Sequence, residues 1–524
     1  MVGYYKVLIT TSGTGSRLGS ITKYTNKSLV PLGDRAALSH IVEKYPDNVE
    51  LVVTIGYFAN HVRDYLTISY PNKNITFVEI DKYEGQGSSL VYSMLQARDH
   101  LQCPFIFHAC DTIVNDQIPP PNHNWLGGSC RGDSSDYRTI KALGSNVIDL
   151  GEKGEATYDY VYIGLAGIKD YEEFWRIADE IYFQQSDNNQ LSDVHVTQEL
   201  MRDNEFKLII FNEWYDIGNI KTLNLAREHL GGISGILEKE DESIHIFDEF
   251  VVKFFHDKNI IDKRIERSKL LRGLVPDIIS RRDNFYKYRM VQGETLSKMV
   301  NEQIFSNLLW WAKENLWKYK GESGDFYEVS KNFYYKKTRE RLQLFTQKTG
   351  RRDKTEQIND CEVPSVEKLL GSIPDTLLCT NKMYGYHGDF ILENIIYNHG
   401  SFTLIDWRQD FGGDLENGDI YYDFAKMNHN LILDHNLISR KFFDISMSSS
   451  NIKCDILRKN LFCKCQGILL DFIKKNGFRE DKVNVLTPLI WINMSPLHNY
   501  PLNIFLYYFG RYSLWRELTY QNYI

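Results

Sequence analysis

Residues 5–111 alternate short apolar strands with helical segments, and this alternation constrains the fold more than any other feature of the chain. Each apolar run has the length of a buried strand, and the segments between them have helical spacing. Strands that alternate with helices favour a parallel α/β sheet, which binds its ligands at the carboxyl ends of the strands. The strands are predicted at 5–10, 49–57, 75–80 and 104–111.

The length and composition are those of a multidomain globular protein. A chain of 524 residues is too long for one ordinary core. The net charge of −8 argues against nucleic acid as the main partner. No apolar run approaches the roughly 20 residues of a membrane span, so none is expected. The N-terminus lacks the pattern of a signal peptide, and eight scattered cysteines predict reduced thiols in a cytoplasmic protein.

A glycine-rich turn, GTGSRL at 13–18, follows the first strand. Glycines let backbone N–H groups approach phosphates closely, and Arg17 adds positive charge. The segment NKSLVPLG at 26–33 then supplies Lys27. This spacing resembles the sugar-nucleotidyltransferase family, in which a lysine stands in a PK-x-L-x-P-x-x-G segment. Asn26 takes the place of the usual proline.

The resemblance covers about residues 1–230 and implies a Rossmann-like α/β domain with a mixed, mainly parallel sheet. It implies that a phosphomonoester oxygen attacks the α-phosphorus of an NTP and releases pyrophosphate. Arg17 and Lys27 would be catalytic, and Lys153 would bind the substrate phosphate. Asp111 and Asp216 would hold Mg²⁺. The NTP would be held by Gly13, Thr14, Gly15, Ser16, Gly85, Gln86 and Ser89.

A change of composition near Gly231, Gly232 and Gly235 predicts a linker, and hence domains at 1–232 and 233–524. After it, residues 243–255 are typical of a β-hairpin with its turn at Asp248–Glu249. From about residue 297 the pattern is mainly helical, and strands return around 395–406. The segment at 350–360 is predicted to be a mobile loop.

The second chemical motif is HGDFILEN at 387–394, followed by Asp406 in LIDW. An aspartate, an asparagine five positions later and an aspartate that closes a strand form the base and metal ligands of a kinase-type phosphotransferase. The motif resembles the aminoglycoside phosphotransferase and choline kinase family. The resemblance implies that Asp389 meets the substrate hydroxyl, and that Asn394 and Asp406 hold Mg²⁺ on ATP.

This second resemblance covers about residues 240–524 and implies a bilobal protein-kinase-like (α+β) fold. The small lobe would span about 240–296 and the helical large lobe about 297–524. Lys253 would grip the ATP phosphates with Glu266 as its ion-pair partner, and backbone near Met290 and Val291 would meet the adenine. No G-x-G-x-x-G precedes Lys253 and no activation segment follows, which favours a small-molecule kinase.

The two resemblances together suggest successive reactions in one cytoplasmic enzyme. A kinase would convert a small alcohol or sugar into its phosphate, and the nucleotidyltransferase would join that phosphate to a nucleotide, with CTP favoured. The order on the chain is similar to that of fused cytidylyltransferase–choline kinase proteins of bacterial surface-polysaccharide decoration. A homo-oligomer stays open.

Two alternatives to a bifunctional enzyme stay open at this stage. The kinase-like half could only bind a ligand or partner, or the whole chain could be a nucleotide sensor. Choline would need an aromatic cage, for which Trp407, Trp491, Tyr500 and Tyr507 are candidates, although core packing explains any one of them equally well. A basic run from Lys336 to Lys354, which includes Lys337 and Arg341, is interpreted as a solvated helix face and loop.

Overall fold

The computed structural model describes residues 4–231, 240–448 and 450–524. The chain forms two compact units. The first comprises Met1–Ile233, Glu240–His256 and Ser280–Lys287, and the second comprises Ser234–Lys239, Asp257–Ile279 and Tyr288–Ile524. Gly232 and Gly235 of the predicted linker lie outside the described residues. The predicted division into 1–232 and 233–524 stays a prediction, but the segments 240–256 and 280–287 belong to the first unit.

The first unit is built on a mixed nine-stranded sheet in the order β5-β4-β1-β6-β11-β8-β12-β10-β9, with β7 and β13 pairing separately. The elements up to residue 231 are β1 (Lys6–Thr10), β2 (Pro31–Leu32), β3 (Arg35–Ala36), α1 (Ala37–Val42), β4 (Glu50–Ile55), α2 (Ala59–Ser69), β5 (Ile75–Glu79), α3 (Leu90–Ala97), β6 (Phe105–Ala109), β7 (Thr112–Val114), β8 (Trp125–Ser129), β9 (Thr139–Leu143), β10 (Asn146–Gly151), β11 (Tyr160–Ile168), α4 (Tyr171–Gln184), α5 (Asp193–Leu200), β12 (Phe206–Ile210), β13 (Trp214–Asp216) and α6 (Ile220–Leu230). Short 3₁₀ helices span Ser16–Thr22, Lys27–Leu29 and Arg98–His100.

The Rossmann-like α/β fold expected for this part of the chain is confirmed. Strands β5, β4, β1 and β6 are parallel, as the alternation of strands and helices predicts. Strand β11, however, runs antiparallel to both β6 and β8, and β10 is antiparallel to β9 and β12. The sheet is therefore mixed and mainly parallel, as expected: seven of its nine strands run in one direction, and β11 and β10 run in the opposite direction.

Both faces of the sheet are covered, and this explains the continuous apolar strands. In β1, Val7 and Ile9 belong to one buried core and Leu8 to another. Successive side chains of a strand point to opposite faces, so a strand buried on both faces needs apolar residues throughout. This burial fixes the carboxyl ends of β1 and β6 at one edge of the sheet, where the glycine-rich turn and Asp111 follow them.

A predicted hairpin after the linker packs on the first core. Strands β14 (Glu242–Ile246) and β15 (Phe250–Phe255) are antiparallel and turn at Asp248–Glu249, as predicted. Val252, Phe254 and Phe285 join the same buried cluster as the residues under β1 and β4. The Lys287 ammonium also donates a 2.7 Å hydrogen bond to the carbonyl of Ile68.

The rest of the chain is mainly helical, as predicted. Its elements are α7 (Lys258–Leu270), β16 (Ile278–Arg281), β17 (Phe285–Arg289), β18 (Glu294–Thr295), α8 (Leu296–Met299), α9 (Glu302–Asn315), β19 (Tyr319–Glu322), α10 (Gly324–Lys331), α11 (Lys337–Thr349), β20 (Glu356–Ile358), β21 (Cys361–Val363), α12 (Val366–Ser372), α13 (Asp375–Leu378), β22 (Lys382–Tyr384), β23 (Ile395–Asn398), β24 (Ser401–Leu404), α14 (Ile420–Ile432), α15 (His435–Ser439), β25 (Phe443–Met447), β26 (Ile452–Ile456), α16 (Asn460–Lys475), α17 (Glu480–Met494) and α18 (Leu502–Tyr520). A π-helical turn, Asn332–Lys336, joins α10 to α11, and 3₁₀ turns span Leu392–Asn394 and Ser495–Leu497.

The loop predicted at 350–360 is partly a strand. Strand β20 pairs with β21 and, at Ile358, with Ile452 of β26. The Arg511 side chain, fully buried, holds this segment from α18 by pairing with Glu356 at 2.9 Å. The prediction missed this order because Ile452 and Arg511, which hold the segment, are distant from it in sequence. Among the described residues, no helix combines the length and the apolar character that crossing a membrane requires.

Two candidate active sites

In the first unit, Lys27 and Asp111 meet at the carboxyl edge of the sheet. The Lys27 ammonium lies 2.7 Å from Oδ2 of Asp111, and the Arg17 guanidinium lies 4.0 Å from the same oxygen. Asp111 stands two residues after the end of β6 and just before β7, whereas Lys27 begins a 3₁₀ turn after the glycine-rich segment. The structure therefore brings together three residues that the sequence placed on separate motifs.

Asp216 joins this group because β13 pairs antiparallel with β7. The register sets Asp216 opposite Thr112, and the N–H of Ile217 donates to the carbonyl of Asp111 at 3.0 Å. The space between the charged groups is small: a Cβ on Gly218 would lie 3.0 Å from Oδ1 of Asp216, 3.2 Å from the Arg17 guanidinium and 3.3 Å from Oδ2 of Asp111. Both predicted metal ligands thus face one pocket.

The electrostatics of this pocket suit a bound cation and a phosphate. Burial acts to raise the pKa of Asp111, but Lys27 outweighs it and holds that pKa below its usual range. Burial and the nearby charge of Asp111 raise the pKa of Asp216. Burial alone would lower the pKa of Lys27, yet Asp111 raises it, so the ammonium stays charged. Mutual repulsion of two carboxylates is relieved by a divalent cation.

Asn26 fixes the position of the neighbouring Lys27. Its buried amide donates to the carbonyls of Thr11, at 2.9 Å, and Tyr57, at 2.7 Å. Its side-chain oxygen accepts from the N–H of Ser28 at 2.9 Å and caps the 3₁₀ turn. Thr11 follows β1 and Tyr57 follows β4, so the amide joins two strand ends. The hydrogen bonds of Asn26 therefore restrict the backbone next to Lys27, as the ring of a proline would.

The glycine-rich turn has the backbone that the sequence predicts. Gly15 adopts φ +66, and a Cβ there would lie 2.8 Å from Cβ of Lys27. A side chain would thus be strained and would displace the lysine. Gly13 and Ser16 are exposed, Thr14 is half-buried, and no heavy atom lies within 4 Å of a Cβ at Gly13. The turn is open to a ligand.

The residues expected to read the base or hold the substrate phosphate are less closely defined. Gly85, at φ +80, and Gln86 are exposed, while Ser89 is buried as the N-cap of α3 and accepts from the N–H of Tyr92 at 3.1 Å. Lys153 is exposed just after β10. Base binding by Gly85, Gln86 and Ser89 and phosphate binding by Lys153 stay predictions.

In the second unit, Asp389 and Asn394 of the HGDFILEN motif lie side by side. The Asn394 amide donates to the backbone carbonyl of Asp389 at 3.0 Å and to its Oδ2 at 3.2 Å. Oδ1 of Asp389 pairs with the Lys426 ammonium at 2.6 Å. Burial acts to raise the pKa of Asp389, but Lys426 outweighs it and lowers that pKa, so the carboxylate is ionised at neutral pH.

Asp406 is held beside this pair by its backbone and by α7. It takes a positive φ of 58, which non-glycine residues seldom adopt and which clusters at functional sites. The N–H of Ile405 donates to the carbonyl of Asn394 at 2.9 Å. The Arg264 guanidinium bonds Oδ1 of Asp406, and its backbone carbonyl accepts from the Trp407 indole at 2.8 Å. The two predicted metal ligands are therefore neighbours.

Asp423 of α14 holds the loop that carries Asp389. Its carboxylate accepts from the N–H groups of His387, at 2.8 Å, and Gly388, at 2.7 Å, and from the Trp317 indole, at 3.0 Å. His387 in turn bonds the carbonyl of Ile405 at 3.0 Å. These contacts assign Asp423 and His387 to loop positioning.

The remaining residues expected to bind ATP belong to different units: Lys253 to the first, and Glu266, Met290 and Val291 to the second. Lys253 is buried in β15 of the first unit. Glu266 is exposed on α7 and pairs with Lys269 at 2.6 Å. Met290 is exposed and Val291 half-buried just after β17. The roles of these four residues in ATP binding stay predictions.

The four aromatic residues considered for a choline cage do not form one. Trp407, Trp491 and Tyr507 are buried, and each gives its polar hydrogen to a neighbour: Arg264, His429 and Asp353 respectively. Tyr500 is 73% exposed. A cage needs aromatic faces that surround a cation, and these rings are occupied by core packing or face solvent.

Sequence reasoning missed Arg264 and Lys426, which are two cations that contact carboxylates of the second site. Arg264 lies 142 positions before Asp406, and no motif marks it. Lys426 stands one helical turn after Asp423, a spacing that places both on one face of α14. Across the described ranges, no three His, Cys, Asp or Glu side chains cluster in position to hold a metal ion, so each site would rely on fewer such ligands.

Comparison with known proteins places relatives of this chain among proteins called GlmU. The bifunctional protein GlmU of Methanococcus vannielii is 28% identical over 150 residues, which are 28% of this chain and 34% of that protein. That of Methanocaldococcus jannaschii is 23% identical over 241 residues, 43% of this chain and 53% of that protein. The chain thus spans between about a third and a half of these relatives. No family model matches it.

Solved structures with a similar fold include two cytidylyltransferases. The CTP:phosphocholine cytidylyltransferase of Streptococcus pneumoniae is 16% identical, with a TM-score of 0.36, and the overlap covers 43% of this chain and 99% of that one. The inositol-1-phosphate CTP transferase of T. maritima is 16% identical, with a TM-score of 0.35, covering 44% and 100%. The sequence relatives support a nucleotidyltransferase fold in the N-terminal part of the chain.

Proposed function

We propose that the chain is a bifunctional transferase that phosphorylates a small hydroxyl compound with ATP and then transfers a nucleotidyl group, with CTP favoured, to the resulting phosphate. The product would be a nucleotide-activated precursor for cell-surface polysaccharide. The convergence of Arg17, Lys27, Asp111 and Asp216 on one pocket carries the proposal. The similarity to GlmU proteins supports the nucleotidyltransferase step.

In the nucleotidyltransferase step, an oxygen of the phosphomonoester attacks the α-phosphorus of the NTP, and pyrophosphate leaves. Arg17 and the glycine-rich turn bind the triphosphate, and Lys27 neutralises charge between the two reacting phosphates. Asp111 and Asp216 would hold Mg²⁺, which when bound neutralises phosphate charge. No side chain needs to form a covalent bond.

In the kinase step, the hydroxyl oxygen attacks the γ-phosphorus of ATP, and ADP leaves. Asp389 accepts the hydroxyl proton, because Lys426 keeps its carboxylate ionised. Asn394 and Asp406 would hold Mg²⁺, which when bound neutralises the ATP phosphates. Asp423 holds the loop so that Asp389 keeps its position.

A second candidate is a nucleotidyltransferase whose kinase-like half only binds a ligand or a partner. The ion pairs of Asp389 with Lys426 and of Asp406 with Arg264 favour it, because both carboxylates are already neutralised. The kinase hypothesis requires that, when ATP binds, these ion pairs break or their carboxylates accept a further partner. Turnover of ATP distinguishes the two candidates.

The test is mass spectrometry of products formed from a pool of alcohols and sugars with ATP and each of the four NTPs. Asp389→Asn is expected to abolish formation of ADP and leave pyrophosphate release from a supplied phosphomonoester intact, because it removes only the proton acceptor. Asp111→Asn should do the reverse. Loss of both activities in either folded variant would contradict the two-site proposal.

A further inference from the structure

One lysine of the basic run that begins at Lys336 is half-buried against aromatic rings instead of lying in solvent. The π-helical turn ends at Lys336, and α11 begins with Lys337. The Lys337 ammonium lies over the ring of Phe333, 4.2 Å from its centroid, and 5.7 Å from the centroid of Tyr422. A π-helical turn widens the helix and frequently marks a functional site.

Two more cations, Arg408 and Lys426, lie near Lys337. The Arg408 guanidinium lies 5.2 Å from the centroid of Phe333. Lys426 stands one turn after Tyr422 on α14 and pairs with Asp389 at 2.6 Å. The rings of Phe333 and Tyr422 are 4.9 Å apart and nearly perpendicular. The cluster Lys337–Arg408–Lys426 therefore adjoins the group that would receive the hydroxyl proton.

The positive charge of this cluster is poorly compensated. In the part of the chain that the structure describes, the Lys337 ammonium makes neither a hydrogen bond nor an ion pair, and the Arg408 guanidinium donates only to the backbone carbonyl of Asp410, at 2.9 Å. The Asp410 carboxylate pairs with Lys263 at 2.7 Å. Burial, then Arg408, Arg341 and Lys426, hold the pKa of Lys337 well below its ordinary value.

Crowded cations are costly unless anions balance them, and among the described residues only Lys426 of these three pairs with a carboxylate, that of Asp389. We infer that the cluster Lys337–Arg408–Lys426 binds a negatively charged group of the acceptor, so that the kinase substrate is a hydroxyl compound bearing a carboxylate or a phosphate. The inference rests on the proposed kinase step and narrows its substrate class. It argues against choline, whose positive charge the cluster would repel.

The position of the cluster favours the acceptor over ATP as the source of the anion. Asp406, one of the two residues expected to hold Mg²⁺ on the ATP phosphates, pairs with the cation of Arg264. Lys426 instead contacts the other carboxylate, Asp389, which faces the acceptor hydroxyl in the proposed reaction. The rings of Phe333 and Tyr422 lie next to this cluster and suit the carbon skeleton of the acceptor.

The experiment compares matched acceptors that differ only in charge: glycerol, glycerate and glycerol 3-phosphate, then glucose, glucuronate and glucose 6-phosphate, with choline as the cation. ADP formation by the full chain is measured with ATP and Mg²⁺. An anionic member of a set is expected to have kcat/KM at least about 10-fold above its neutral partner. The carboxylate and phosphate arms distinguish the two anions.

Lys337→Met tests the cluster directly, since it breaks no ion pair and keeps most of the side-chain volume. The KM for the anionic acceptor should rise about 10- to 100-fold while the KM for ATP stays unchanged. The matched control is Lys336→Met, which removes the same charge from the adjacent, exposed position. A rise in the KM for ATP alone, or equal effects of the two variants, would overturn the inference.

Calorimetric binding of glycerate and glucuronate to the full chain separates this inference from the proposed function. Binding that Lys337→Met removes, without ADP formation by any acceptor, would support the anion site and refute the kinase step. Turnover of choline or a neutral alcohol in preference to the anions would support the kinase step and refute the anion site. Absence of both binding and turnover would refute both.

Discussion

Gly218 offers the sharpest test of the first site, because a single methyl group there would enter the space between its charged residues. The substitution is Gly218→Ala. The new Cβ would lie 3.0 to 3.3 Å from Asp216, Arg17 and Asp111, closer than the 3.4 Å at which ordinary contact begins. The neighbours must then move by a few tenths of an ångström. Mg²⁺ tolerates little departure from ideal ligand distances.

Displacement of both carboxylates is expected to lower kcat/KM for pyrophosphate release by about 100-fold, or about 2.7 kcal/mol of transition-state stabilisation. The free energy of unfolding should change by less than about 1 kcal/mol. Gly218 has no positive φ, and alanine also reduces the entropy of the unfolded chain. ATP-dependent phosphorylation should be unaffected, since the substitution lies in the other unit.

Pyrophosphate release is measured with a supplied phosphomonoester, alongside urea unfolding of each variant. The control is Gly467→Ala in α16, where the new Cβ would meet no atom within 4 Å. A Gly218→Ala variant that is as stable and as active as the parent would refute the assignment of this pocket to the reacting phosphates.

Two further predictions concern the framework of the first site. Asn26→Ala should lower the free energy of unfolding by about 2–4 kcal/mol, because it leaves two backbone carbonyls without donors. Asn26→Asp should also destabilise the protein, since it keeps only the acceptor. Urea midpoints of the two variants measure the loss of stability, and an Ala variant as stable as the parent would contradict the prediction. His108 is buried, accepts from Tyr45 and has its pKa lowered to about 4 by burial. The unfolded chain therefore takes up its proton near pH 6.5 first, so stability is complete above that pH and falls by up to about 3 kcal/mol as pH drops to 4. As the pH is lowered, the urea midpoint of His108→Gln should fall less steeply than that of the parent protein. Equal slopes for the two proteins would contradict the predicted role of His108.

The sequence was informative where chemistry depends on short motifs. Lys27, Asp111 and Asp216 stand in recognisable segments, and the strands beside them are apolar on both faces, so their meeting at one sheet edge could be predicted. Arg264 and Lys426 could not, because their contacts depend on how α7 and α14 pack against distant loops. Local patterns carry no information on such packing.

The same limit applies to the fold. The hairpin of β14 and β15 was predicted with its turn, since alternation and turn residues are local signals. Its inclusion in the first unit was not, because that depends on Phe254 and Phe285 reaching a core formed much earlier in the chain. Strand β20 was missed for a similar reason, as its partner β26 begins at Ile452.

The hairpin has a practical consequence for dividing the protein. A fragment that stops at the linker would strip Val252, Phe254 and Phe285 from the core and leave the ring of Tyr65 open to water. Such uncovered apolar surface promotes aggregation. Gene-splitting or co-expression of separate halves is therefore expected to yield a soluble first half only if it carries the sequence through residue 287.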